Sequence, residues 1–309
     1  MDFREYQFRA RTTDQHPRVS WTADEAAKEP QKHNVIPLMG LVGEVGGLLS
    51  EYKKMLRDGA IHEQFPQQVA EELGDILWYV ATVATKFGLD LSKIAEENII
   101  KTEDRWHEPG EKRKLYDDDL PVAERLPRQF SYLFSHRAVG GGQRLVITDE
   151  ATGEDHGDPL RDNAYEDDGY RFHDVLHFAF AAHLGWSPVW RKLLRSKGRV
   201  AKRPAAIDDA EDGGRAQVID EAIVAAAYVY ADKHSFMDGA GAVDWQLLRH
   251  IKQMAANLEV KDRTTWEWNR ALLDGFRVWR KLREHNGGTV SGDLTKNTLQ
   301  FTPPNSGKT

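Results

Sequence analysis

The sequence has 309 residues, a formal net charge of −7 and no cysteine. A chain of this length suggests two domains or one large one, and it can bury a sizeable core without disulfides. The lack of cysteine excludes disulfides, thiolate nucleophiles and cysteine-ligated zinc, and the acidic balance gives no general attraction to nucleic acid or an anionic membrane. Uninterrupted apolar runs fall short of the ~20 residues of a membrane span. We therefore expect a soluble, cytoplasmic protein.

Helical periodicity dominates residues 1–106. A short amphipathic segment comes first, and three longer helices are then predicted from the apolar spacing and the capping residues. These run from Pro37 to about Met55, from about Gln67 to Phe87, and from Asp90 or Ser92 to about Trp106. Gly59 and Gly88 are the expected stops of the first two.

The remainder of the chain changes character twice. Residues 107–169 carry β-type runs around three consecutive glycines and predict a linker with a small hairpin. Over residues 170–285, four amphipathic or apolar segments predict a second helical domain. A tail over residues 286–309 follows, with one short strand. The expected fold is mainly α, with a helical bundle, a small β insertion and a second helical bundle.

Acidic residues recur on the predicted N-terminal helices. Glu44 and Glu51 share one face of a helix, and Glu72 and Asp75 are three residues apart on the next, beside Glu71. A helical hairpin would bring these carboxylates together, and buried carboxylates repel each other unless a cation neutralises them. All-oxygen ligands suit Mg²⁺ or Mn²⁺. The plainer interpretation is a set of solvated surface charges.

Three short motifs follow at helix-length spacing: Glu72-Leu-Gly-Asp75, Asn98-Ile-Ile-Lys101 and Arg105-Trp106. In these motifs residues 1–106 resemble the MazG-type all-α nucleoside triphosphate pyrophosphohydrolases, whose helices carry E-x-x-E, then E-x-x-D, then N-x-x-K. The resemblance covers about a third of the chain. It implies Mg²⁺-dependent hydrolysis of ribo- or deoxyribonucleoside triphosphates to nucleoside monophosphate and pyrophosphate, in nucleotide-pool control or house-cleaning.

One motif departs from the family pattern. Where E-x-x-E is expected, the chain has Glu44-Val-Gly-Gly47, so the second carboxylate is missing. We expect Glu51, one turn further on the same face, to replace it; otherwise the site binds fewer metal ions or has lost activity. A non-catalytic nucleotide sensor therefore stays open as an alternative. So does a pyrophosphohydrolase of another nucleotide, such as phosphoribosyl-ATP.

The resemblance implies a role for each motif residue. The expected metal ligands are Glu44, Glu51, Glu72 and Asp75. The expected proton acceptor is Glu51 or Glu71, and Lys101 is the further catalytic residue. The expected substrate contacts are Lys54, Asn98, Lys101 and Arg105 for the phosphates, and Trp78 for the base. The plainer interpretations are helix-end cations for Lys101 and Arg105 and core packing for Trp78.

The family builds its site from helix pairs of neighbouring copies, so the resemblance implies a homo-oligomer or an internal pseudo-dimer. Aligning residues from Val69 with those from Val218 places Glu71 and Glu72 on Asp220 and Glu221. We therefore considered residues 170–285 a diverged second copy of the first bundle.

Two further features lie in the second half. The spacing of His173, Asp174, His177 and Glu221 suits a second metal site, although helix packing of the two histidines is the plainer interpretation. A basic stretch from Arg191 to Pro204 holds seven Lys/Arg and no acid. We expect a solvated surface there, with a polyphosphate clamp or an RNA contact as the alternatives.

Overall fold

The computed structural model describes residues 1–14, 32–59, 63–110 and 114–304. The chain divides into two compact units, Met1–Glu103 and Asp104–Thr309. The described residues are mainly helical, as the sequence predicts, and they also form a four-stranded antiparallel sheet, which it does not predict as one sheet.

The first unit is built from helices. These are α1 (Phe3–Thr13), α2 (Lys32–Asp58), α3 (Phe65–Lys86) and α4 (Leu91–Trp106), the last of which ends in the second unit. Pro37, the predicted start of α2, lies inside it, where it removes one helical hydrogen bond. Gly88 has a positive φ just after α3, and Asp90 caps α4 by accepting from two backbone N–H groups, as expected. Residues 60–62 of the predicted turn lie outside the described residues.

Helices α2 and α3 pack closely along each other. A Cβ added at Gly40 would lie 2.2 Å from a ring carbon of Tyr79, so only glycine fits between the two helices at this position. Helix α1 covers the other side of α3, where a small apolar core forms from Ala10, Ala81, Ala84 and Leu91. The N-terminal hairpin and its covering helix therefore fix the faces on which the acids lie.

Helix α2 also has an exposed apolar face, made by Leu38, Met39, Val42, Val45, Leu49 and Leu56. By length and composition, its segment Val35–Asp58 is apolar enough to cross a membrane, which is weak evidence for a span by itself. The prediction that no segment reaches this length was wrong for α2. It counted only uninterrupted apolar runs, whereas glycines and a few charges interrupt this helix without making it polar overall.

The second unit contains α5 (Asp174–Leu184), α6 (Pro188–Ser196), α7 (Ala205–Glu211), α8 (Gly214–Asp232), α9 (Trp245–Met254) and α10 (Thr265–His285). The four predicted helical segments correspond to α5, α8, α9 and α10. The sequence interpretation missed α6 because its basic residues hid an apolar pair, Trp190 and Leu194, which are buried one turn apart. The start signal was present, since Ser187 caps α6 and Pro188 follows it.

The sheet joins segments that are distant in the chain. Its strands are β1 (Gln129–Val139), β2 (Gly142–Asp149), β3 (Gly288–Asp293) and β4 (Thr298–Thr302), in the order β2-β1-β3-β4. The predicted hairpin β1–β2 is confirmed. We predicted the hairpin and the C-terminal tail as separate segments, but β3 pairs with β1 so that Gln129 faces Asp293. Alternation along a strand indicates a strand and does not identify its partner.

Helix α5 is the centre of the second unit. Every residue from Val175 to Leu184 is buried, including two histidines, and the helix packs against α10 and the sheet. At Gly275 of α10, an added Cβ would lie 2.7 Å from Leu176, which explains the close approach of the two helices. A helix that is apolar all round belongs in a core.

The hypothesis of an internal repeat is not confirmed. In the first unit α2 and α3 are consecutive and pack lengthwise, whereas α6 and α7 separate α5 from α8 in the second. Helix α5 packs mainly on α10 rather than on α8. The alignment arose because the aligned helices are apolar and similar in length. The order in which the helices pack does not support a repeat.

The basic stretch is only in part the solvated surface that we expected: Lys192, Lys197 and Lys202 are exposed, whereas two of its arginines are buried. Arg191 and Arg203 are only 3% and 4% exposed. Arg191 donates to Asp117 at 2.8 Å and Arg203 to Asp212 at 2.7 Å. Both acids lie outside the stretch. A count of charges within the stretch therefore suggested an excess of positive charge, part of which these acids neutralise in the folded protein. For the exposed lysines, a polyphosphate clamp and an RNA contact stay open as the alternatives.

Candidate functional site

The acids of α2 and α3 come together around Glu72. Burial raises the pKa of Glu72 above its ordinary value of 4.5, and repulsion by four neighbouring carboxylates raises it further. In decreasing order of effect these are Glu44, Glu51, Asp75 and Glu71. Glu72 Oε2 is buried, and no group in the described part of the chain hydrogen-bonds it. Such an arrangement is electrostatically unfavourable unless a cation or a proton joins it.

Gly47 is the reason that Glu72 can approach α2. A Cβ added at Gly47 would lie 2.3 Å from Glu72 Oε2 and 2.7 Å from its Cδ. The position where the family pattern has a second carboxylate is thus filled by the carboxylate of the facing helix. At Gly46, the preceding residue, an added Cβ would meet nothing within 4 Å.

Glu51 lies in the same cluster and is already partly neutralised. Its side chain is buried at 7% exposure, and Lys54, one turn further along α2, forms an ion pair with its Oε1. A carboxylate has two oxygens with several lone pairs, so an ion pair with a lysine does not by itself prevent it from binding a cation. Lys54 is therefore occupied with Glu51, and its predicted contact with phosphate stays a prediction.

Two aromatic side chains of the first unit lie close to the acids. Trp78 packs against α1, and its Nε1 donates to Thr13 Oγ1 at 2.8 Å. This position fits the plainer interpretation of core packing, and the role of Trp78 in base stacking stays a prediction. Tyr6, which the sequence analysis did not single out, has its pKa raised by burial and by the charge of Asp75.

Three of the residues predicted to bind phosphate, Asn98, Lys101 and Arg105, lie on α4. Asn98 and Lys101 are exposed on α4, which does not pack lengthwise against α2 or α3 in the described residues. Arg105 belongs to the second unit, where its guanidinium lies 3.7 Å from the ring centroid of Trp245. The phosphate-binding roles of all three stay predictions.

A second cluster lies where α5 faces α8. One ligand atom each from His173, His177 and Glu221 lies within 4.8 Å of the other two. Asp174 is adjacent, with its Oδ1 3.2 Å from His173 Nε2. Burial disfavours the charged form of His177, but Asp220 and Glu221 outweigh burial and raise its pKa to about 10. The four residues singled out from spacing are thus together in space.

The sequence analysis assigned no role to the residues that hold this second cluster. Asp220 is fully buried and contacts His177 Nδ1 at 2.9 Å, and it accepts hydrogen bonds from Ser187 and from the backbone of Val189. Tyr170 stacks on His173, with 4.4 Å between ring centroids. Two adjacent acids in an otherwise apolar helix are the signal that could have identified Asp220 as a positioning group.

Two family models match the chain. The model of the MazG nucleotide pyrophosphohydrolase domain matches residues 39–108, and that of the MazG C-terminal domain matches residues 111–305. The gene 37 protein of Mycobacterium phage L5 is 41% identical over 69 residues, which are 22% of this chain and 60% of that protein. No solved structure matches the chain. The chain belongs to the MazG family, with a nucleotide pyrophosphohydrolase domain followed by a MazG C-terminal domain.

Proposed function

We propose that the N-terminal unit hydrolyses nucleoside triphosphates to nucleoside monophosphate and pyrophosphate with the help of Mg²⁺. The observation that carries the proposal is the buried, unpaired Oε2 of Glu72 amid four other carboxylates. A group of this charge between two tightly packed helices fits a divalent cation better than it fits a purely structural role. A pyrophosphohydrolase of another nucleotide would use the same acids.

The donor set fits Mg²⁺, with Mn²⁺ as a substitute. Glu44, Glu51, Glu72 and Asp75 offer only carboxylate oxygens, which both ions prefer. The ion would neutralise triphosphate charge and lower the pKa of a water molecule. Glu51 suits a ligand because it is buried and held by Lys54.

Among the acids, Glu71 is best suited to accept a proton. It is exposed, and of the four neighbours it perturbs Glu72 least. An exposed carboxylate beside the cluster can take a proton from the attacking water and release it to solvent. Asn98 and Lys101 would then hold the phosphates, as a hydrogen-bonding group and a point charge.

We also propose that a second copy of the chain covers the apolar face of α2. Val42 is 72% exposed on that face, and Ile99 and Ile100 are exposed on α4 next to the predicted phosphate-binding residues. A water-soluble protein rarely leaves such a contiguous patch uncovered. A facing copy would bury both surfaces and bring an α4 to the acids, which the chain's own α4 does not do.

The Val42→Glu variant is expected to dissociate the oligomer, because a charge in an apolar interface is desolvated without a partner. Light scattering coupled to size exclusion measures the mass directly. Val229→Glu is the matched control, since Val229 is also an exposed helical valine but lies in α8. A monomeric wild type, or an unchanged mass for Val42→Glu, would contradict the proposal.

Product analysis tests the reaction itself. Purified protein is incubated with Mg²⁺ and a panel of ribo- and deoxyribonucleoside triphosphates, and the products are separated by chromatography. We expect monophosphate and pyrophosphate. Gly47→Ala should slow their formation at least about tenfold, because its Cβ displaces the Glu72 carboxylate that holds the metal. Gly46→Ala should retain the activity, since its Cβ meets nothing.

Other products would contradict the proposal in distinct ways. Diphosphate and phosphate would mean that a different bond is cut. Mg²⁺-dependent nucleotide binding without turnover, detected as thermal stabilisation, would favour the sensor and identify Gly47 as the departure that disabled the site.

A further inference from the structure

The cluster between α5 and α8 has its two histidines oriented by oxygen acceptors. His173 Nδ1 lies 2.9 Å from the carbonyl oxygen of Tyr170, and a carbonyl oxygen can only accept, so Nδ1 carries the hydrogen. His177 Nδ1 lies 2.9 Å from Asp220 Oδ1. Asp220 also accepts from Ser187 at 2.7 Å and from the backbone of Val189 at 3.2 Å, so it serves as a hydrogen-bond acceptor here. In both rings the lone pair of the neutral imidazole is on Nε2.

Both Nε2 atoms point towards carboxylate oxygens. His177 Nε2 is 3.5 Å from Glu221 Oε2, and His173 Nε2 is 3.2 Å from Asp174 Oδ1. His177 is 2% exposed, and its Nε2 makes no hydrogen bond to any residue that the structure describes. A lone pair facing a carboxylate is repulsive, so either a proton on Nε2 or a metal ion has to lie between them.

We propose that His173, His177 and Glu221 bind a divalent transition-metal ion, with Zn²⁺ as the best match. Two imidazole nitrogens and one carboxylate form a recurrent zinc ligand set, and a carboxylate or carbonyl behind each histidine is its usual support. Bonds of about 2.0–2.2 Å place tetrahedral ligands roughly 3.4 Å apart. The three ligand atoms lie within 4.8 Å of one another, so side-chain rotations of modest size close the site.

The surroundings decide what kind of metal site this is. Three protein ligands leave a coordination position open, as in catalytic rather than purely structural zinc sites. The Glu221 side chain is 48% exposed, so an ion could enter from solvent. The site lies in the second unit and uses none of the acids of the nucleotide site.

Zinc binding by the full-length chain tests the proposal. The titration is done in a Glu72→Gln/Asp75→Asn background, so that the N-terminal acids do not contribute, and bound metal is measured by calorimetry and by elemental analysis after desalting. We expect one Zn²⁺ per chain, with two nitrogen ligands in its X-ray absorption spectrum. The result is independent of nucleotide hydrolysis.

Three variants identify the ligands. Glu221→Gln should weaken zinc binding at least about tenfold without risk to folding, because the side chain is half exposed. His177→Ala should abolish binding, and circular dichroism shows whether this buried substitution leaves the fold intact. The control is His250→Ala, since His250 is exposed on α9. A proton on His177 Nε2 would relieve the same repulsion; absence of bound zinc in the wild type, or equal zinc binding in all variants, would overturn the proposal.

Discussion

Glu72→Gln is expected to abolish nucleotide hydrolysis and, at the same time, to raise the melting temperature of the metal-free protein. Turnover should fall at least about 100-fold, the scale seen when a fixed group that stabilises transition-state charge is removed. The melting temperature should rise although turnover falls, because the carboxylates of Glu44, Glu51 and Asp75 repel that of Glu72. Glutamine keeps the shape of the side chain and removes the charge.

The pH dependence follows from the direction of the Glu72 pKa. Because the folded-state pKa is raised above 4.5, the folded protein binds more protons than the unfolded one between the two values. The stability of the metal-free wild type therefore falls as pH rises through this window. The higher melting temperature of Glu72→Gln relative to the wild type should be present at pH 8. The difference should shrink as the pH falls towards the ordinary pKa of glutamate.

Differential scanning calorimetry with a chelator, and again with Mg²⁺, measures this effect. Mg²⁺ should stabilise the wild type and have little effect on Glu72→Gln. Glu63→Gln serves as the control, since Glu63 is an exposed acid outside the cluster. If Glu72→Gln instead lowered the melting temperature with the chelator present, the carboxylates would not be repelling one another, and the argument for the cation site would fail.

Arg203→Met is expected to destabilise the second unit by about 3–5 kcal/mol, because it removes the cation that pairs with Glu259 and one of the two that pair with Asp212. Arg203 donates to Asp212 at 2.7 and 2.8 Å and to both oxygens of Glu259 at 3.0 Å. Asp212 is 2% exposed and also lies 3.4 Å from Arg191 Nε. Methionine fills a similar volume, so the loss comes from charge rather than from a cavity.

The loss should grow with pH. Burial already raises the pKa of Glu259 to about 7 in the presence of Arg203. Without Arg203 the pKa of Glu259 rises further, so Glu259 is largely neutral at pH 6 in the folded variant. The destabilisation by the unpaired Glu259 carboxylate is therefore small at pH 6 and grows as the pH rises. Urea unfolding followed by tryptophan fluorescence at pH 6 and pH 8 measures the difference.

Lys281→Met is the surface control for this experiment. The pair Lys281–Glu284 lies on α10 with both side chains at least half exposed, and exposed pairs add little to stability. We expect its unfolding midpoint to match the wild type. Equal, small changes for Arg203→Met and Lys281→Met would mean that solvent reaches the buried network and screens it.

The sequence predicted most helices because periodicity and capping are local. Apolar spacing located α3 within two residues at its start, and Asp244 and Thr264 cap α9 and α10 through hydrogen bonds to their own first turns. Sheet pairing was predictable only for the hairpin, where two glycines close a short connection. The pairing of Gln129 with Asp293 joins residues 164 positions apart, which no local pattern records.

By itself, the sequence determined the helical class, the strands of the hairpin and the ordered acidic motifs, since each depends on residues within a few turns of one another. Only the tertiary structure decided that Glu72 fills the space above Gly47, that Asp220 orients His177, and that acids outside the basic stretch pair with its buried arginines. Burial and pairing of charges depend on which helix faces which. Which helices face each other depends on close packing across the whole core, and local sequence patterns do not show it.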